Sequence, residues 1–367
     1  MIFRFSSLIL FSGIQLFCVG LFAQTISFAA VGDVFLGRAG RDYGGDDPFR
    51  YVSGILNDSD VVLGNLETPI AEIRKRNLKL PCSLKRGTCL TDEDKRYRRL
   101  YLLTFNARLK APAILKNAGF TLLSTANNHS EDQGSNAMIE TMERLKAAGL
   151  QSVGTASSRD DAFKPVIIEK NGVKVAFFSA TTVINFVSKS SSAFVAYSSL
   201  NDLIKNLPGK VAEVKKEVDF VVVTLHYSAE NSVKATTGER KLMTLLDDAG
   251  ANLFIGTHQH VLGGVEIFKN MVAVYSLGNF LFDKSDDLWG KTAILKLDFV
   301  KSKSGNSLKN VHLIPVILNG KPYGLPKPAE GTDGHKLLKR VISLSHLYQN
   351  PKGALQIKNG VLKIKTE

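Results

Sequence analysis

Apolar runs of strand length recur along this chain, and each ends in a short polar cluster. Thr25-Ile-Ser-Phe-Ala-Ala-Val31 leads into Gly32-Asp33, and Asp60-Val-Val-Leu63 leads into Gly64-Asn-Leu-Glu67. Phe120-Thr-Leu-Leu-Ser-Thr-Ala126 leads into Asn127-Asn-His-Ser-Glu-Asp132, and Asp219-Phe-Val-Val-Val-Thr-Leu225 into His226-Tyr-Ser-Ala-Glu230. Ala251-Asn-Leu-Phe-Ile-Gly256 runs into Thr257-His-Gln-His260, and Met271-Val-Ala-Val-Tyr-Ser-Leu277 into Gly278-Asn-Phe280. Between these runs, Leu109–Ala118, Ser135–Ala148, Leu200–Val218 and Thr237–Ala249 carry helical spacing, with Gly119, Gly149 and Gly250 as stops. Pro48–Leu56 reads as a short helix and Gly334–Leu347 as the last one. Asn171-Gly172, between two strand-like runs, predicts a hairpin. The alternating runs 292–300 and 311–318 predict a half-buried antiparallel edge or a second sheet. Strands interleaved with helices predict an α/β fold.

In such folds the loops at the carboxyl ends of strands share one rim, where sites collect. Of the 7 histidines, His129, His226, His258 and His260 fall at such ends. The same clusters offer Asp33, Asn65, Glu67, Asn128 and Asp132. Carboxylate, amide oxygen and imidazole together suit Mn, Fe, Zn or Mg. A carboxylate shared by two ions would let them hold the attacking and leaving oxygens of a phosphoryl transfer. Taken singly, Asp33 and Asp132 read equally well as caps or turn residues.

Hydrophobic content of 44% supports a sizeable core, and a formal charge of +13 favours an anionic partner. Arg74-Lys-Arg76, Lys85-Arg86 and Lys95-Arg-Tyr-Arg-Arg99 hold much of the excess. The chain has no nucleic-acid module, so nucleic acid is not the expected partner. Residues 1–23 read as a leader, with Met1-Ile-Phe-Arg4 followed by the apolar stretch Leu8–Ala23. A cleaved signal peptide or an uncleaved anchor would each place the protein outside the cytoplasm, in the periplasm or on the outer face of the cytoplasmic membrane. Membrane association through the N-terminus follows in the second case. Cys82 and Cys89 then form an even pair that either closes a small loop or stays as two buried thiols. Residues 24–350 read as one domain and 351–367 as a C-terminal tail.

Several stretches together resemble the CapA (PgsA) family of poly-gamma-glutamate capsule synthesis proteins, within the calcineurin-like metallophosphoesterase superfamily. They are Gly32-Asp-Val-Phe-Leu-Gly37, Asn65-Leu-Glu67, Ala126-Asn-Asn-His129 with Asp132 and Gly134, Gly256-x-His-x-His260, Tyr275-Ser-Leu-Gly-Asn-Phe280, and Asn319-Gly-Lys-Pro322 with Pro326-Lys-Pro328. The resemblance implies a four-layer α/β/β/α sandwich of the metallo-dependent phosphatase type, binding one or two divalent ions (Mn, Fe or Zn). By the same resemblance Asp33 and His260 would serve one ion, and Asn128, His226 and His258 the other. The bridging position falls on Asn65-Leu-Glu67, where Glu67 is preferred as a carboxylate. His129 would protonate the leaving oxygen, oriented by Asp132. Where the superfamily usually has Asp-x-His, this chain has Asp33-Val-Phe35.

Two functions of different class follow. One is an exported metal-dependent phosphoester hydrolase acting in synthesis or anchoring of an anionic envelope polymer, alongside its synthesis machinery. The other is a non-catalytic protein that keeps the fold and binds polymer or partner. The chain has neither a phosphate-binding glycine loop after a strand nor a Gly-x-Ser-x-Gly elbow, which argues against a nucleotide-binding module and a serine hydrolase.

Overall fold

A computed structural model describes residues 23–38, 41–42, 47–72, 104–185, 193–283, 288–320 and 324–366. The leader up to residue 22, the basic stretch with Cys82 and Cys89, and residues 186–192 lie outside the described residues. The strands of the first half are β1 (Gln24–Val34), β2 (Gly37–Arg38), β3 (Arg41–Asp42), β4 (Val61–Leu66), β5 (Leu122–Ser124), β6 (Gln151–Val153), β7 (Thr155–Ala156), β8 (Val166–Lys170), β9 (Val173–Thr181) and β10 (Phe194–Val195). Those of the second half are β11 (Phe220–His226), β12 (Leu253–Thr257), β13 (Val265–Ile267), β14 (Val272–Val274), β15 (Asn279–Leu281), β16 (Lys291–Ser302), β17 (Gly305–Asn319), β18 (Leu325–Pro328), β19 (Leu355–Lys358) and β20 (Val361–Ile364). The helices are α1 (Ser53–Asn57), α2 (Ala111–Asn117), α3 (Ser135–Ala147), α4 (Arg159–Ala162), α5 (Leu200–Lys215), α6 (Thr237–Asp248) and α7 (Gly331–Ser345).

Two sheets face each other. One follows the order β19-β20-β17-β16-β1-β4-β5-β6, the other β13-β14-β12-β11-β9-β8. Period-2 alternation sends one set of side chains inward and the other outward. Phe28, Leu63, Leu297 and Phe299 of the first sheet meet Val175, Phe177, Phe220 and Ile255 of the second in a common core. Phe28 lies 5.9 Å from Phe177, and Phe220 lies 5.0 Å from Phe299, between ring centroids. Each of these buried rings contributes on the order of 1.5–3 kcal/mol.

The outward sets have their own covers. Ala29, Val31 and Val62 pack under Leu56, Leu115 and Leu145 from α1, α2 and α3. Phe178, Val221, Val223 and Phe254 pack under Leu203, Leu207, Leu242 and Leu246 from α5 and α6. The result is the four-layer α/β/β/α sandwich expected from the sequence. Because β1, β4, β5, β9, β11 and β12 are buried on both faces, they read as continuous apolar runs rather than alternating ones.

The hairpin at Asn171-Gly172 is present, with φ of 52° and 76° at its two turn residues. The 292–300 and 311–318 runs behave differently from their reading. They form β16 and β17, and β16 pairs antiparallel with β1 in the interior of the first sheet. Their alternation reports an outer face that helices only half cover, not a sheet edge. Residues beyond 350, read as a tail, supply β19 and β20, and β20 pairs with β17 through Leu362 and Leu313.

The two sheets are joined at the rim by Tyr275–Gly278, which leaves β14 in one sheet and enters β15 in the other. Leu277 N–H donates to Gly256 O of β12 at 3.2 Å, and Asp33 N–H of β1 donates to Gly278 O at 2.9 Å. Such approach is open only to glycine. A Cβ on Gly32 would stand 1.8 Å from Gly278 O, and one on Gly256 would stand 1.9 Å from Tyr275 O. Gly32→Ala should therefore destabilise the protein by about 2–3 kcal/mol, the upper range for overpacking. Chemical denaturation checks this, and a loss below 0.5 kcal/mol, roughly the scatter of neutral surface changes, would contradict it.

Candidate metal centre

Register alone aligns the polar residues at the strand ends. In the first sheet Asp33 stands opposite Asn65 on one side and Asn279 on the other. In the second sheet His226 stands opposite Thr257 and Thr181. His258 and His260 follow β12 at φ of 90° and 59°, a left-handed backbone that non-glycine residues avoid. That conformation turns both rings back toward the first sheet, at a cost of order 1–3 kcal/mol per residue.

The rings and carboxylates converge. Asp33, Glu67 and His260 each offer a ligand atom within 4.8 Å of the others, and all three are buried. His260 Nδ1–H donates to Asn279 Oδ1 at 2.8 Å and lies 3.3 Å from Asp33 Oδ2, which leaves Nε2 facing Glu67 Oε1 at 4.0 Å. Fixing Nδ1 in this way sets the tautomer and aims the second nitrogen. Glu67 is 0% exposed, and neither of its carboxylate oxygens has a hydrogen-bond partner among the described residues. Burial first, and Asp33 second, push its carboxyl well above the usual range. Burial opposes charge on His260, but Glu67 and Asp33 together hold it up to about 9.

Beside this trio lie the second set of predicted ligands. His226 Nε2–H donates to Asn128 Oδ1 at 2.8 Å, and its Nδ1 takes the Asn65 amide at 3.2 Å and Thr257 Oγ1 at 3.1 Å. The His226 and His258 ring centroids are 4.6 Å apart. Burial, and then the other histidines, push His226 well below its ordinary value and His258 down to about 4. Both rings are therefore neutral and able to act as ligands. His258 Nδ1 is buried with no partner among the described residues.

A divalent cation fits this donor set. A buried carboxylate with no hydrogen bonds, set against a second carboxylate, is costly unless something positive neutralises it. Glu67 with Asp33 and His260 would hold one ion, and the neutral pair His226 and His258 with Asn128 offers a second cluster next to it. Asn65 takes a connecting role in the described arrangement. Its Nδ2 donates to Asp33 Oδ1 at 2.8 Å, while its Oδ1 accepts from Asn127 at 3.1 Å. Of the two bridging candidates, Asn65 contacts a member of each cluster, Asp33 and His226, whereas Glu67 faces His260 and His129.

His129 and Asp132 pair as expected. His129 Nδ1–H donates to Asp132 Oδ2 at 2.7 Å, and its Nε2 lies 3.8 Å from Glu67 Oε1. Asp132 Oδ2 also accepts Phe105 N–H at 2.6 Å, which fixes the carboxylate.

Four residues matter that sequence reasoning gave no role. Asn279 orients His260. Asn127 ties the Asn65 amide to the backbone, donating to Leu66 O at 2.9 Å and accepting from His129 N–H at 3.1 Å. Phe105 stacks on His129 with centroids 3.8 Å apart, and Trp289 stacks on His260 at 4.5 Å. Phe35 lies between them, 4.3 Å from Phe105 and 5.0 Å from Phe282. The position where the superfamily usually has a histidine thus holds the hub of an aromatic wall. That wall braces the acid candidate on one side and a ligand candidate on the other.

Comparison with known proteins identifies relatives of this chain. A family model described as bacterial capsule synthesis protein PGA_cap matches residues 27–284. The chain is 31% identical over 298 residues to the PGA biosynthesis protein CapA of Bacillus subtilis (strain 168), covering 77% of this chain and 70% of that protein. It is 29% identical over 343 residues to the capsule biosynthesis protein CapA of Bacillus anthracis, covering 91% and 78% respectively. Among solved structures, a Staphylococcus aureus protein described as a candidate 5'-nucleotidase, in complex with alpha-ketoglutarate, superposes with a TM-score of 0.49 at 16% identity. That match covers 87% of this chain but only 58% of the other.

Glu67→Gln separates a ligand from a structural carboxylate. In excess chelator the variant should unfold with unchanged stability or with a gain of about 1 kcal/mol, because the buried carboxyl that burial and Asp33 both disfavour as an anion is gone. The rise in Tm that Mn²⁺ or Zn²⁺ gives the parent should disappear. A variant that is markedly less stable in chelator would instead mark Glu67 as a packing residue.

Proposed function

Because the chain belongs to the bacterial capsule synthesis protein family, we propose that it is an exported, metal-dependent phosphoester hydrolase serving an anionic envelope polymer. The observation that carries this reading is Glu67: a fully buried carboxylate without a hydrogen bond among the described residues, facing His260 and His129. Asp33, Glu67 and His260 would hold a divalent cation, which would supply Lewis-acid polarisation of a phosphoryl oxygen. The protein's own groups do the rest. Asp132 holds His129 by Nδ1, so that Nε2 is presented to the site and can give its proton to the leaving oxygen. Phe105, stacked on the imidazole, keeps the ring from turning. Asn127 locks His129 from its backbone side, and Asn279 locks His260 by its ring nitrogen.

Export is supported by the apolar stretch Leu8–Ala23 after a short basic start. The two Bacillus relatives are named for PGA and capsule biosynthesis. That supports a polymer or its synthesis machinery as the partner, and the net positive charge suits either.

A second reading rests on Phe35, which is 0% exposed at the centre of the aromatic wall. With an apolar ring where a ligand would stand, the fold would keep a weakened metal site and bind polymer without cleaving it.

Elemental analysis of the purified protein decides the first step, compared with the double variant His226→Ala, His260→Ala. The parent should carry one or two transition-metal ions and the variant none. Hydrolysis of bis(4-nitrophenyl) phosphate should then fall by about 10²–10⁴ in His129→Ala, the usual range for a general acid, with metal content unchanged. Metal-free parent after reconstitution with Mn²⁺ and Zn²⁺ would favour the binding protein. Metal with unchanged turnover in His129→Ala would remove that residue as the acid.

A further inference from the structure

Asn231 lies in the loop that follows His226 at the end of β11, and its backbone is left-handed, with φ of 64°. Asparagine is one of the few residues with a side chain that enter this region readily. The Asn231 N–H donates to Gln259 O at 2.8 Å. Gln259 stands between His258 and His260, which are both left-handed as well. Tyr227 N–H adds a bond to Thr257 O at 3.1 Å. The loop after β11 is thus fastened to the loop after β12 at two points, and a strained turn persists only where its surroundings over-determine it.

The Asn231 side chain makes a third bond, to the opposite sheet. Trp289, just ahead of β16, donates its indole N–H to Asn231 Oδ1 at 2.6 Å. The indole stacks on His260 with 28° between the ring planes. The Trp289 carbonyl accepts from Asn279 Nδ2 at 3.3 Å, and Asn279 Oδ1 accepts from His260 Nδ1. These contacts close a circuit. It runs from the imidazole to Asn279, on to the Trp289 main chain, and back through the Trp289 ring to the imidazole. The indole is the one part of it that could swing away by rotating about its side-chain torsions, and Asn231 pins it.

We infer that Asn231 and Trp289 form a clasp that positions the His260 ring and so sets how tightly the rim holds its cation. The inference rests on the metal reading above and assigns neither residue to the ion itself, since both act through His260. Asn231 is exposed and Trp289 half-buried, so both can be replaced without opening the core.

The test is calorimetric titration of Mn²⁺ into the full-length protein after removal of metal by chelator. Asn231→Gly keeps the N–H and tolerates the left-handed backbone but lacks the amide. It should bind Mn²⁺ about tenfold more weakly, the lower end of the range for residues that orient a ligand. Trp289→Phe keeps a ring on His260 without the N–H and should lose as much. The double variant should lose no more than either, because each change removes the same bond. Asn231→Asp keeps the acceptor oxygen and should bind at least as tightly as the parent. Trp289 is the single tryptophan of the chain, so acrylamide quenching of its emission reads the clasp with no ion present. Quenching should rise in Asn231→Gly and stay at the parent level in Asn231→Asp. A parent that takes up no Mn²⁺ would remove the ion and this role together. Equal affinity of parent and Asn231→Gly, or losses that add in the double variant, would overturn the clasp and leave the metal reading standing.

Discussion

Two separate sheets have to bring side chains to one point, and the crossing segment Tyr275–Gly278 sets their distance there. Its backbone bonds to Gly256 on one sheet and to Asp33 on the other, so the two strand ends cannot drift apart without breaking both. Gly32 and Gly256 are the condition for that contact, since any side chain would wedge the segment outward. Every distance in the candidate centre depends on this joint. His258 and His260 hang from one side of it, and Asp33 and Glu67 from the other.

Electrostatics makes the joint worth its strain. Left to themselves, Asp33 and Glu67 repel at close range in a medium of low polarity. The two carboxylates raise the pKa of His260, whereas burial first and the other histidines second lower those of His226 and His258. The rim thus divides into a charged half, where cation binding would relieve stress, and a neutral half of imidazoles and amides. Along the aromatic wall, Phe35, Phe105 and Trp289 shield the charged half from water and so keep the local dielectric low.

The rim was legible in the sequence because chemistry and periodicity coincide there: apolar runs stop, and aspartate, glutamate, asparagine and histidine begin. Its orienting residues were not, because their importance comes from contacts between distant positions. Nothing about Phe105 or Trp289 in its own stretch announces that it will stack on an imidazole. Asn279 sits in a recognised motif, yet its partner His260 is visible only once the sheets are closed. The placement of β16 inside the first sheet was misread for a related reason, since alternation records how well one face is covered and not which neighbour a strand has. One signal was available and went unused. Asn359-Gly360, with φ of 52° and 74°, makes the same turn as Asn171-Gly172 and marks the last hairpin.

The course of β1 gives the molecule a head and a foot. Gln24 pairs with Lys301 near the tip of the β16–β17 hairpin, and Asp33 lies at the opposite end of the same strand. Nine residue steps of extended chain separate them, about 30 Å. The described chain therefore enters the body at its foot, at the end of β1 far from the candidate metal centre. A label or tether attached at that end would leave the candidate metal centre facing away from the point of attachment.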